Sequence, residues 1–529
     1  MAKHDTIPIV VGVTGHRDLR PEDRNVLSDA VKQELTALQK KCPHSEIVLM
    51  SSLAAGADQL CAEAARDCSV PLIAVLPMEQ PEYEQDFSGE ELVAFRSILS
   101  AAADCFVAPR TEQAPTAPDR DFAYRQAGIY VASHAHVLLA LWDGTESPAS
   151  GCGTAATVHF ALDGAYIPEH SIPLGGGCPV LQIQTPRNGT DAVNAGDVRF
   201  LGDRAAFEEI LSRTDEFNRL AAKTSSSGSE LLPADREPDA QLDRLETLYE
   251  KADALSVRFA KQYRRILAAL AVVSTIITIA FLLYDEAELH WMILVCGFML
   301  LSAWLIQYSG KRIACHRRYL EYRTLAESMR VQAFLRYAGS RLPVSGILPW
   351  SARSETGWVA AALKTGAVST PYPMHSIRAP WVEQQRDYHV RAAQKTKRAL
   401  FFSERIVKAA LWISVALYLG VLVFELVWGD LLPFGTHISG ADRYRTLSKL
   451  LLGGVSAATL FISNYFGRLS LSRAVSDHNK MKRFYSAVLN RLDRYGQTDE
   501  LLRQLAREEL IENGSWCSYR RDNSAEFSL

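Results

Sequence analysis

The sequence lacks an excess of either charge, any Cys-x-x-Cys pair and any cluster of metal-ligating residues. Lys plus Arg is 57 against 60 for Asp plus Glu, a net charge of -3. That balance argues against a protein that coats nucleic acid. Nine cysteines, an odd number, are spread from Cys42 to Cys517. This usage fits free, mostly buried thiols in a reducing compartment, with no zinc site and no other metal. The chain passes from Met1–Asp5 straight into a strand-like run, which predicts no secretory leader. Mean hydropathy is -0.04 although 22% of residues are charged, so apolar residues are gathered in blocks. The composition excludes a disordered, collagen-like or disulfide-scaffold chain.

Four such blocks fill the second half. Ile266–Tyr284 runs nineteen residues, Trp291–Tyr308 eighteen and Leu450–Phe466 seventeen, all without a charge. Ile406–Trp428 carries only Lys408 and Glu425. A bilayer core of about 30 Å needs about 20 helical residues, so each is long enough to span it. They group as two hairpins. The first hairpin loop, Asp285–His290, holds three acids, while Lys261, Arg264, Arg265, Lys311 and Arg312 flank the other ends. Positive flanks place both chain termini in the cytoplasm and the loops outside, in a multi-pass protein of the cell inner membrane. Heptad stripes such as Met481, Tyr485, Val488 and Leu492 suit helix bundling beside the membrane. The helix–hairpin–helix pattern occurs twice, as an internal duplication would produce. The resulting division is 1–220, a linker 221–245, a two-span unit 246–340, an irregular Pro-rich connector 341–380, a second two-span unit 381–500 and a tail 501–529.

Residues 1–220 alternate strands and helices, with strands expected at 7–13, 46–51, 70–76, 104–107, 135–141 and, last, 179–183. The fold class expected is an α/β, Rossmann-like, doubly wound parallel sheet followed by an all-α membrane domain. Ligands of such sheets bind beyond the carboxyl ends of the strands. The residues there are Thr14, Gly15, His16 and Arg17, then Ser52, Gly56 and Asp58, then Trp142, Asp143 and Gly144, then Gly151, Gly153 and Thr154. Small residues admit a ligand to the backbone, a helix start offers N–H groups to a phosphate, and Arg17 offers a fixed bidentate charge. His16 reads as a hydrogen-bond donor. Arg125 and Tyr124 could reach a base or ribose, and Tyr83 lies in a rim or lid segment. These are expected ligand contacts; no catalytic residue and no cofactor is expected.

At Gly12–Arg17, Ser52–Gln59 and Gly151–Thr154 the first unit resembles the SLOG superfamily, which includes the LOG enzymes and nucleotide-sensing domains. The resemblance covers about residues 6–190 and implies binding of nucleotides or nucleotide-sugar derivatives. LOG enzymes carry a Gly-Gly-x-Gly-Thr-x-x-Glu motif, with the glutamate three positions after the threonine. Here Thr157 stands at that position, and a hydroxyl does not replace a carboxylate as base. The membrane half resembles the SLATT effector class, whose two-span hairpins act in anti-phage conflict. Together these resemblances imply a ligand-gated channel or membrane-perturbing effector, sensing an ADP-ribose-like or cyclic nucleotide. Four spans are too few to enclose a wide pore, so a homo-oligomer, plausibly a tetramer, is expected. Candidate pore-lining groups are Ser274, Thr275, Thr278, Ser302 and Gln307, each equally able to bond back to its own helix. The alternatives are a membrane-anchored N-glycosidase of LOG type, using Arg17, Asp58, Asp143 and Arg125, and a membrane scaffold for partner proteins.

Overall fold

The computed structural model describes residues 6–109, 119–145, 151–163, 177–187, 194–225, 231–349, 356–364, 372–427 and 441–522. The chain divides into two compact units. The first takes in the chain up to Leu255, then Glu321–Ser376 and Gln497–Trp516. The second takes in Ser256–Leu320, Ile377–Gly496 and the chain from Cys517 on.

The first unit is built on a seven-stranded sheet. Its strands are β1 (Ile9–Gly15), β2 (Ile47–Ser51), β3 (Leu72–Leu76), β4 (Asp104–Val107), β5 (Val137–Trp142), β6 (Val180–Gln184) and β7 (Val198–Leu201). They lie in the order β4-β3-β2-β1-β5-β6-β7. All neighbours are parallel except β6 and β7. β1 sits between the two halves, with Ile9 opposite Ile47 on one side and Val11 opposite Val137 on the other. Ile9, Val11 and Val13 join Leu27, Val31 and Leu60 in a core on one face. Val10, Met50 and Leu138 join Ala127, Val131 and Val158 in a core on the opposite face. Burial on both faces explains the unbroken apolar runs of β1, β2 and β5.

The covering helices are α1 (Arg24–Lys41), α2 (Ala57–Asp67), α3 (Gln80–Tyr83), α4 (Gly89–Ser100), α5 (Arg120–His134), α6 (Thr154–Asp163) and α7 (Arg204–Ala221). β7 was not expected: it is four residues long, half exposed and antiparallel, so neither length nor periodicity announces it. α7 closes the amino end of the sheet through Asn218. Its buried amide accepts from the Ile7 N–H at 2.9 Å and donates to the Ile7 carbonyl at 2.9 Å.

The unit does not end with α7. Phe217 is fully buried against Tyr322 and Trp358, with ring centroids 5.6 and 6.1 Å away. Trp358 donates its indole N–H to Glu321 at 3.2 Å. Trp358 lies on a helix, Gly357–Lys364, inside the stretch read as irregular; the prolines around it had masked its short apolar run. The segment read as a tail forms the helix Asp499–Asp522, which buries Leu502, Leu505 and Leu510. Helix already begins at Ala240, within the stretch read as linker.

The second unit is helical. Four helices are long and apolar enough to cross a membrane, within Ala240–Glu286, Met292–Tyr337, Arg378–Phe424 and Arg443–Tyr495. Their apolar side chains point outward: Leu294 is 74% exposed, Trp412 70% and Leu460 67%. Buried core helices do not leave such side chains bare, and an apolar surrounding removes the cost. The helices also pack on each other. A Cβ on Gly453 would come within 2.8 Å of Leu282, so the absent side chain admits the neighbouring helix. Lys449 pairs with Glu286 at 2.9 Å. The apolar helices Met292–Ile313 and Ala441–Leu469 are each followed by one left-handed residue, Ala314 (φ 50°) and Ser470 (φ 48°), before the next helix starts. Between the third and fourth apolar runs, residues 428–440 lie outside the described residues and helix resumes at Ala441.

Candidate functional site

The chain builds outward from β1 through β2, β3 and β4, then returns to lay β5 on the other side of β1. The connections after β1 and β5 therefore diverge and leave a crevice at their carboxyl ends. A cavity of about 580 Å³ occupies this position. Of the residues expected to meet a ligand, Thr14, Gly15, His16, Arg17, Ser52, Asp58, Tyr83, Trp142, Asp143, Gly153 and Thr154 line it. Gly56, Arg125, Gly144 and Gly151 do not.

The two glycines of the first loops are required by the packing of the loops themselves. A Cβ on Gly15 would lie 2.3 Å from the Ala57 Cβ. Gly56 has φ +82°, and a Cβ there would meet the Arg17 carbonyl oxygen at 2.3 Å. The Ala57 N–H donates to the His16 carbonyl at 3.0 Å. Together these contacts lock the loop after β1 to the start of α2, and that lock sets where Arg17 stands. Arg125 lies beside Gly151, whose Cβ would be 3.0 Å from the guanidinium, and it faces the Phe160 ring at 5.7 Å.

Arg17 is one of two arginines in the cavity lining. Its guanidinium stands over the Tyr124 ring, 5.2 Å from the centroid. Tyr124 is held in turn by Asp86 and Arg120. Across the cavity Arg187, which sequence reasoning missed, pairs with Asp18 at 3.3 Å. A bridge between Leu19 and Arg187 brings it there, a long-range link with no local signal. Thr154 opens α6 at the cavity wall, so backbone N–H groups of the first turn face the same space. Thr157 also lines the cavity. Its hydroxyl donates to the Gly153 carbonyl at 3.0 Å and packs on Gly128 of α5.

Three titratable groups shape the electrostatics. Asp58 is buried, and burial pushes its carboxyl up to about 6, despite hydrogen bonds from Ser51 and the Ala54 N–H. Ser51, not Ser52 alone, thus belongs to the site; its alternation with Ser52 hid it. Asp143 is held below the usual carboxylate range. Burial opposes this, but the Thr145 N–H, donating at 2.9 Å, and His16 outweigh it. Burial lowers the His16 pKa, with the pull of Asp143 too weak to reverse it. Two contacts compete at His16 Nε2. The Asp143 N–H donates to it at 3.1 Å, and the Asp143 Oδ1 lies 3.2 Å away. One nitrogen cannot accept and donate at once. The lowered pKa favours the neutral ring with Nε2 as acceptor, so His16 accepts where a donor was expected.

Three of the candidate pore-lining hydroxyls bond within their own helices. Thr275 donates to the Ala271 carbonyl at 2.9 Å, Thr278 to Ser274 at 3.0 Å and Ser302 to Phe298 at 2.9 Å. Ser274 and Gln307 are half-buried. Bonding within the helix accounts for the three hydroxyls without a pore.

No family model matches the chain, and no curated protein matches it by sequence.

Proposed function

We propose that the chain is a membrane-embedded effector of bacterial anti-phage defence, a ligand-gated channel or membrane-perturbing protein, switched by a nucleotide-derived signal. The observation that carries this reading is the union, in one chain, of a cavity at the β1–β5 divide with four helices long and apolar enough to cross a membrane. The first unit is read as a Rossmann-like, doubly wound, SLOG-like sensor, and the two hairpins as SLATT-like units.

The chemistry of the cavity supports the ligand class. Arg17 makes no ion pair among the described residues, and the α6 start adds N–H groups, so an anion is favoured there. Tyr124 and Trp142 offer rings on which a base could stack. An ADP-ribose-like or cyclic nucleotide combines these parts. Gating requires the ligand to prefer one conformation of the unit over another. The chain leaves the first unit at Leu255 and Ser376 and re-enters it at Glu321 and Gln497. In this reading each hairpin starts and ends on one side, and the basic flanks favour the cytoplasmic face of the inner membrane. A homo-oligomer, plausibly a tetramer, supplies enough helices for a pore.

Calorimetry on the purified full chain with ADP-ribose and cyclic nucleotides tests the reading. Arg17→Ala should weaken binding at least about tenfold, the size of one lost charge-assisted hydrogen bond. If no member of the panel binds, the sensor reading is wrong. One observation favours a second reading, cleavage of an N-glycosidic bond: Asp58 and Asp143 share the cavity with their pKa values displaced in opposite directions. Base release from a nucleotide that stops with Asp143→Ala would establish it.

A further inference from the structure

We propose that the second unit carries a binding site for the phosphate of an anionic membrane lipid, set where the two hairpins leave their apolar helices. This rests on the reading that those helices cross a membrane.

Both exits are marked by a left-handed residue, Ala314 and Ser470. The tip of the last helix reaches both. The Tyr519 hydroxyl lies 3.3 Å from the Ser470 hydroxyl. Arg520 and Arg521 bear on His316, two residues past Ala314, as neighbouring charges. The Arg473 guanidinium stands over the Tyr519 ring at 3.7 Å, and His316 stacks on Tyr263 with centroids 4.5 Å apart. Arg473 on one helix and Arg520 and Arg521 on another thus gather about the same helix tip. Asp477, 3.6 Å from Arg473, offsets one of these charges in part.

Guanidinium forks take phosphate oxygens bidentately, and phenol rings sit well where water meets acyl chains. A free phosphate would satisfy the charges alone. A lipid also accounts for what adjoins them: Trp304, Leu305 and Tyr308, on the turns before Ala314, are each about half exposed. Those side chains offer a surface for an acyl tail on the helix that leads to Ala314. The opposite end of this hairpin is acidic, with Asp285, Glu286 and Glu288, so the preference has one side.

The full chain is reconstituted in nanodiscs mixing phosphatidylcholine with phosphatidylglycerol, and the lipid it retains is read by native mass spectrometry. The wild type should retain phosphatidylglycerol selectively. The R520Q/R521Q pair should weaken retention roughly 25-fold, at about fivefold for each cation near an anionic surface. R520K/R521K should restore much of it, and K395Q/K397Q, exposed cations outside the cluster, should leave it intact. R473Q on the separate helix should also lower it, which covers the case where the double variant fails to fold. Inorganic phosphate should not compete. Equal retention of both lipids by the wild type, full retention by R520Q/R521Q, or competition by inorganic phosphate would each overturn the proposal. Alkaline carbonate extraction separates the two levels. A chain that is washed off the membrane defeats the membrane reading itself. A chain that stays in but shows no lipid preference defeats this site alone.

Discussion

Asp58 should make the first unit lose stability as pH rises, and the loss can be sized. The carboxyl is 5% exposed and is pushed up to about 6 from an ordinary value of 3.8. A folded-state pKa above the unfolded one means the stabilising contribution is fully present below the unfolded value. It is lost as pH rises through the folded value. A displacement of roughly two units at 1.36 kcal/mol per unit gives about 3 kcal/mol, most of it lost between about pH 4 and 6. Asp58→Asn keeps an oxygen to accept from Ser51 and Ala54 but cannot ionise. Thermal melts of both full chains in mild detergent, from pH 4.5 to 8, provide the comparison. The wild type should fall relative to the variant by roughly 5–10 °C as pH rises. A difference that stays flat across this range would show that Asp58 ionises as it does in water, and the burial argument would fail. The same charge faces the cavity, so an anionic ligand should bind more weakly above pH 6 in the wild type and not in the variant.

Other outcomes follow from particular contacts. Gly56→Ala places a methyl against the Arg17 carbonyl in a left-handed backbone; it should cost roughly 2–4 kcal/mol in chemical denaturation and weaken ligand binding with it. Phe217→Ala empties a site between Tyr322 and Trp358 and should cost roughly 3–5 kcal/mol. If that variant leaves the melting temperature unchanged, the extension of the first unit beyond α7 is not formed. Protonating His16 should swap its bond with the Asp143 N–H for a pairing with the Asp143 carboxylate. An imidazole shift in NMR that survives Asp143→Ala unchanged would refute that exchange.

The strands and the cavity wall were legible because each depends on short stretches of sequence. The apolar runs at β1, β2 and β5, each followed by small residues, named a core of the lining, including Thr14, Arg17, Asp58 and Asp143. What was not legible depends on partners far along the chain. Arg187 enters the cavity through a bridge to Leu19. Gly15 and Gly56 read as small residues after strands, but that their Cβ sides face Ala57 and Arg17 is a pairing that no single loop reveals. The helix Gly357–Lys364 is amphipathic only toward α7, and the Asp499–Asp522 helix shows its apolar stripe only against the segments that cover it.

The three-part make-up of the first unit has a bearing on how the protein is born. Its last piece carries Leu502, Leu505 and Leu510 into the interior and sets Glu509 3.2 Å from Arg330. A ribosome delivers that piece only after both hairpins have left the exit tunnel. A newly made chain must therefore finish its apolar helices before its first unit can close, and a product cut short before residue 497 would hold those helices beside a first unit that lacks its last piece.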